Sequence, residues 1–163
     1  TRRSSDLDER FMGFAPRYSS LSAPNGKNII DAGGTGSDNA SIWLVIWGGQ
    51  GCFGIYPKGS KAGIESKDIG INTVQDDEGG RFEVHEKLFM WDLGLCVRDW
   101  RRVVRIANID TTKLTKDLST GANLADLMAD ALEMVPDLNG RPAFYMNRNL
   151  RRILRGQIGR AHV

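Results

Sequence analysis

Helical periodicity first appears in this chain near Asn123, and that lateness constrains the fold more than any other feature. Leu124, Leu127, Met128, Ala131, Leu132 and Val135 fall at i, i+3, i+4, i+7, i+8 and i+11. Such spacing lays one apolar stripe along a helix. Asn123 stands at the N-cap position, Asp126 lies at the positive end of the helix dipole, and Pro136 stops the run. After a short apolar strand at 143–146, Asn147 caps a second helix, with Leu150, Ile153 and Leu154 inward. Its Arg148, Arg151, Arg152 and Arg155 point outward. Everything upstream reads as strands and turns. Strands first and helices last predict an α+β chain, not an alternating βαβ one.

The upstream elements follow from composition along the chain. Residues 1–10 are polar and charged, and 11–18 form a short apolar anchor broken by Pro16. Residues 19–39 are rich in Ser, Asn, Gly and Asp and read as a long ordered loop, with one apolar pair, Ile29 and Ile30. Residues 41–47 are β-branched and aromatic, a strand; residues 53–56 are a second, stopped by Pro57. Residues 58–70 read as a turn-rich excursion and 76–80 as a hairpin turn. Residues 81–110 read as the longest continuous β segment.

The first strand runs into Gly49-Gln50-Gly51-Cys52-Phe53-Gly54, which spells the G-x-G-x-x-G of a dinucleotide loop. That loop needs a helix directly behind it, because the helix N-terminus holds the pyrophosphate. Here β-formers, Pro57 and Gly59 follow instead. The expectation is a hairpin: one strand up to Trp47, a glycine turn at 48–51, and a return from Cys52. The nearby Lys58–Gly63 stretch has the wrong order for a phosphate-binding G-x-x-x-x-G-K-[ST] loop.

Other chemistry is equally unsupported. Ser or Cys nucleophiles usually pair with His, and His85, beside Glu83 and Glu86, reads as a solvated strand residue. The Asp76-Asp77-Glu78 run lacks calcium-loop spacing and ends in two glycines, as a polar hairpin tip does. Cys52 and Cys96 form no C-x-x-C pair, so buried thiols are expected rather than a zinc site or a disulfide framework. No catalytic residue, cofactor or metal is expected. The 163 residues suffice for one domain, 40% hydrophobic and 26% charged, and no apolar run reaches the length of a membrane span. A net charge of +2 is too small for nucleic-acid binding over the whole surface.

One stretch remains, MWDLGLCVRDWRRVVRIANID at 90–110. If it is a continuous strand, Val97, Asp99, Arg101, Val103 and Arg105 share one face, and Arg98, Trp100, Arg102, Val104 and Ile106 the other. Both faces are mixed. Two readings stand open. Arg98, Trp100, Arg101, Arg102 and Arg105 form a subunit interface, where arginine and tryptophan are favoured, or they are solvated residues of an edge strand.

The segments NIIDAGGTGSDNASIWLVIWG, GIYPKGSKAG, WDLGLCVRDWRRVVRIANID and GRPAFYMNRNLRRIL resemble the major capsid proteins of tailed bacteriophages, over residues 11–155. The resemblance implies a Hong Kong 97-type α+β coat subunit, its β-rich part followed by the first axial-domain helices. It implies a structural, non-enzymatic role. The expected location is the virion, with assembly in the host bacterial cytoplasm. The implied partners are copies of the chain in hexamers and pentamers, non-specifically packaged DNA, and no membrane. Scaffolding, portal and decoration proteins are further partners the resemblance allows. The alternative is a nucleic-acid-binding module using the arginine-rich segments 98–105 and 148–155.

The ends set a further expectation. The chain starts at Thr1 without a Met, so residues 1–156 are expected to be part of a subunit, with an N-terminal arm and spine helix upstream and a C-terminal part beyond. Residues 157–163 read as a translation of CAG ATC GGA AGA GCA CAC GTC, which resembles a sequencing-library adapter. They are expected to lie outside the fold.

Overall fold

The computed structural model describes residues 12–116 and 118–161, with backbone alone at 160 and 161. It divides into two units, one of residues up to Phe53 and from Leu95 onward, the other Gly54–Gly94. The class is α+β, as expected.

The first unit is built on a mixed sheet. Its strands are β1 (Ile29–Asp31), β2 (Asn39–Trp47), β3 (Cys52–Ile55), then β6 (Gly94–Val97), β7 (Val103–Asp110) and β8 (Arg141–Tyr145). The order is β1-β7-β2-β3-β6, with β8 also on β2. β2 is the axis. It pairs antiparallel with β7 on one side and with β8 on the other. Alternation then sorts its side chains. Ile42, Leu44 and Ile46 share a fully buried core with Val104, Ile106, Ile109, Leu124 and Leu150. Trp43, Val45 and Trp47 pack on the opposite face with Phe14, Tyr18, Ile29 and Val103. Both faces are therefore covered, which explains why the strand reads as an almost unbroken apolar run.

Ile106 and Ile109 both reach the first core although they are three residues apart. The cause is a bulge: β2 advances two residues between Ala40 and Ile42 while β7 advances three. Asn108 takes the left-handed backbone conformation there, φ 56°, and its amide donates to Asp31 Oδ1 at 2.9 Å. Asn tolerates this conformation better than most residues.

The helices form as the caps predict. α1 (Leu124–Glu133) starts on Asn123, whose Oδ1 accepts from the backbone of Ala125 and Asp126. In α2 (Arg148–Ala161) the Leu150 N–H donates to Asn147 Oδ1 at 2.8 Å. Leu150, Ile153 and Leu154 are buried, and Arg148, Arg151, Arg152 and Arg155 are exposed.

Four expectations about this unit change. The 19–39 stretch is not all loop, because Ile29 and Ile30 enter β1, parallel to β7. β3 does not return along β2 as a hairpin; the two meet at one parallel bridge, Trp47 to Cys52. The Gly51 N–H donates to Gly48 and the Gly48 N–H to Cys52 O, which winds the chain round instead of reversing it. The 81–110 segment is broken into three strands. The fourth correction concerns residue 157: α2 runs through it, and Gln157 is 2% exposed. Its Oε1 accepts from Leu124 N at 3.0 Å, and its Nε2 donates to Thr115 O and Ala122 O.

Gln157 thus satisfies a first-turn donor of α1, which has no partner within its own helix. Gln157→Ala should cost about 2 kcal/mol in urea denaturation, since buried polar groups lose their partners. Exposed Ile158→Ala should stay within about 0.5 kcal/mol. Equal midpoints for the two variants would mean that Gln157 is not packed.

The second unit is a two-stranded antiparallel ribbon, β4 (Glu65–Gln75) and β5 (Arg81–Met90). β4 begins inside the stretch expected to be turns. The turn at 76–80 is as expected. Asp76 Oδ1 accepts from Glu78 N and Gly80 N, and Asp76 N donates to Gly80 O. His85 lies exposed on β5.

Candidate subunit interface

The arginine-rich stretch is not a strand at its centre. β6 ends at Val97, a single 3-10 turn covers Trp100–Arg102, and β7 starts at Val103. Asp99 breaks the strand by capping the turn: its Oδ1 accepts from Arg101 N at 3.0 Å. The same carboxylate grips the Arg101 side chain in a fork, Nε to Oδ1 at 3.0 Å and Nη2 to Oδ2 at 2.9 Å. Those bonds from Arg101 hold the Asp99 carboxyl below the usual range, so it is charged at neutral pH.

The two-face alternation expected from sequence therefore fails. The five arginine and tryptophan residues take different roles. Arg102 turns inward, its side chain 9% exposed. Nη2 meets Asp137 Oδ2 at 2.7 Å and Nη1 donates to Asn139 O at 2.7 Å. Its Nε has no partner, and Asp99 Oδ2 stands 4.0 Å away. Arg105 also turns inward. Nη1 donates to Tyr18 O at 2.6 Å, Nε and Nη2 reach Ser41 Oγ, and the guanidinium lies 5.3 Å over the Trp43 ring. These are internal cross-braces between segments far apart in sequence.

Arg98, Trp100 and Arg101 remain on the surface. Arg98 donates to Gly49 O at 3.1 Å, and the Trp100 carbonyl accepts from Tyr18 Oη at 2.7 Å. With Gln50, Asp99 and Arg102 they line an open groove. So the structure brings four of the five expected residues to one place and leaves Arg105 on the sheet. Gln50, Asp99 and Asp137 were missed. Asp99 carried a signal, an Asp two residues before an arginine pair where a cap would stop a strand. Asp137 carried none, because its partner is 35 residues away.

The glycine motif has a packing explanation. A Cβ on Gly51 would fall on the Ile46 carbonyl oxygen, whereas Gly49 has nothing within 4 Å. Cys52 is buried, and burial pushes its thiol up to about 11, with Cys96 adding to the rise. It is held as a neutral thiol, the wrong state for a nucleophile. Among the described residues no three His, Cys, Asp or Glu side chains gather, and no helix is long and apolar enough to cross a membrane.

A family model described as Major capsid protein GP7 matches residues 3–162, nearly the whole chain. No curated protein matches it.

Proposed function

Because the chain belongs to the Major capsid protein GP7 family, we propose that it forms an icosahedral bacteriophage head, assembling with copies of itself in hexamers and pentamers around DNA. The family match over residues 3–162 carries this reading. A capsid family is structural and located in the virion, and self-association is its implied mode of action. A Hong Kong 97-type subunit, extended beyond this chain at both ends and assembled in the host cytoplasm, is the form of that reading we adopt. Scaffolding, portal and decoration proteins are partners it allows.

The fold supports the reading through what it leaves outside. Arg98, Trp100 and Arg101 sit in an open groove, and arginine forks suit partner carboxylates and carbonyls. The nucleic-acid-binding alternative is weakened by the same geometry. Arg102 and Arg105 are occupied by Asp137, Asn139, Tyr18 and Ser41, which removes two cations from segment 98–105.

Alanine variants in the complete gene product test the interface. Arg98→Ala and Arg101→Ala should leave the circular dichroism spectrum and thermal midpoint near the parent, because exposed charges contribute on the order of 0–1 kcal/mol. At least one should block shell formation in electron micrographs, because a lost contact repeats in every copy. Arg102→Ala should instead destabilise the fold by about 2 kcal/mol, through its lost buried bonds. Normal shells from both exposed variants would refute the interface.

A further inference from the structure

The β4–β5 ribbon sorts its side chains by register. Val74 pairs with Phe82, Lys67 with Leu88, and Glu65 with Met90, so Val74, Phe82, Val84, Leu88 and Met90 share a face with the charged Glu65, Lys67 and Glu86. Arg81, Glu83, His85 and Lys87 lie on the other, with Ile71 and Phe89. Phe82 is 51% exposed and Met90 45%. A two-stranded ribbon is at best marginally stable by itself, and exposed apolar side chains on both of its faces, Phe82 on one and Phe89 on the other, mark a contact surface.

The ribbon ends in charge. Asp76 spends its Oδ1 on the turn, accepting from Glu78 N and Gly80 N. Asp77 and Glu78 are exposed, and their carboxylates make no hydrogen bond or ion pair among the described residues. The tip is therefore a pre-shaped loop presenting free carboxylates. The groove of Gln50, Arg98, Asp99, Trp100, Arg101 and Arg102 is the complementary surface: three arginines, one carboxylate and an aromatic ring. Its Arg102 is nine-tenths buried with Nε unpartnered.

We propose that the Asp77–Glu78 tip of one copy seats in the Arg98–Arg102 groove of a second copy. The inference rests on the shell-subunit reading above and adds the contact that would link copies. An incoming carboxylate takes over the Arg101 fork. Asp99, released from that fork, has Arg102 Nε 4.0 Å from its Oδ2 and can close that distance. The contact joins two different surfaces, so it is head-to-tail, the kind of interface that closes into rings.

The test uses the complete gene product. Glu78→Cys and Gln50→Cys variants, which keep Asp77, Arg98 and Arg101, are mixed, assembled and treated with a short bismaleimide. The proposal expects a covalent dimer from the mixture, absent from either variant alone, which controls for Cys52 and Cys96. Reversing Asp77→Arg with Glu78→Arg, or Arg98→Glu with Arg101→Glu, should lower particle yield at least tenfold. The four changes together should restore it. Particles that form without the mixed cross-link, or reversals that leave yield unchanged, overturn the tip contact and leave the shell reading standing. Intact particles that lose only DNA retention on Arg98→Glu with Arg101→Glu overturn it too, since the groove would then be a phosphate contact. If the unaltered protein forms no particles, the shell reading fails and this contact with it.

Discussion

Leu44→Ala will destabilise the protein by about 4 kcal/mol, within the range for deleting a buried leucine side chain. Leu44 is fully buried at the centre of β2 and pairs with Val104 on one side and Phe144 on the other. Its face meets both helices through Leu124 and Leu150. No neighbour can collapse into the gap without breaking the sheet register, so the lost contacts and the cavity both count. Urea unfolding followed by circular dichroism measures it. Phe82→Ala, on the half-exposed ribbon face, should cost the unassembled chain under about 1 kcal/mol, despite removing a larger side chain. A Leu44→Ala loss as small as that of Phe82→Ala would mean that the core is misplaced.

Gly51→Ala will cost about 3 kcal/mol, the upper range for overpacking. Its methyl would fall on the Ile46 carbonyl, a backbone atom of β2, with Arg102 Cδ at 3.3 Å behind it. Neither can move freely: Ile46 is held in the sheet by its pairing with Pro142, and Arg102 by Asp137 and Asn139. Gly49→Ala, with nothing within 4 Å, should be within about 0.5 kcal/mol of the parent. A dinucleotide loop would need both glycines for ligand approach, so equal effects of the two changes on stability, with micromolar NAD or FAD binding, would revive that reading. The result expected is a large asymmetry and no nucleotide binding.

Much of the architecture was legible because it is locally determined. Asn123 and Asn147 cap the helices the spacing predicts, and the glycines at 79 and 80 close the ribbon turn around Asp76. What escaped depends on partners distant in sequence. Ile29 and Ile30 become a strand only because β7 lies beside them, 76 residues on at the Ile29–Arg105 pair. Arg102 and Arg105 look alike as sequence, yet their fates are set by Asp137, Tyr18 and Ser41. Gln157 looks like a polar tail residue until Thr115, Ala122 and Leu124 surround it. At the site, period-2 alternation misled because one side chain, Asp99, ended the strand. The surface set that survives is Arg98, Trp100 and Arg101.

A shell subunit has itself as partner. Sedimentation of the purified complete gene product, with electron microscopy of the fast fraction, tests it most directly. Closed particles of uniform size, built without added DNA, are expected, with little salt dependence of residual DNA affinity. A monomer that forms no particles and binds DNA with affinity falling steeply with salt, as phosphate neutralisation requires, would contradict it.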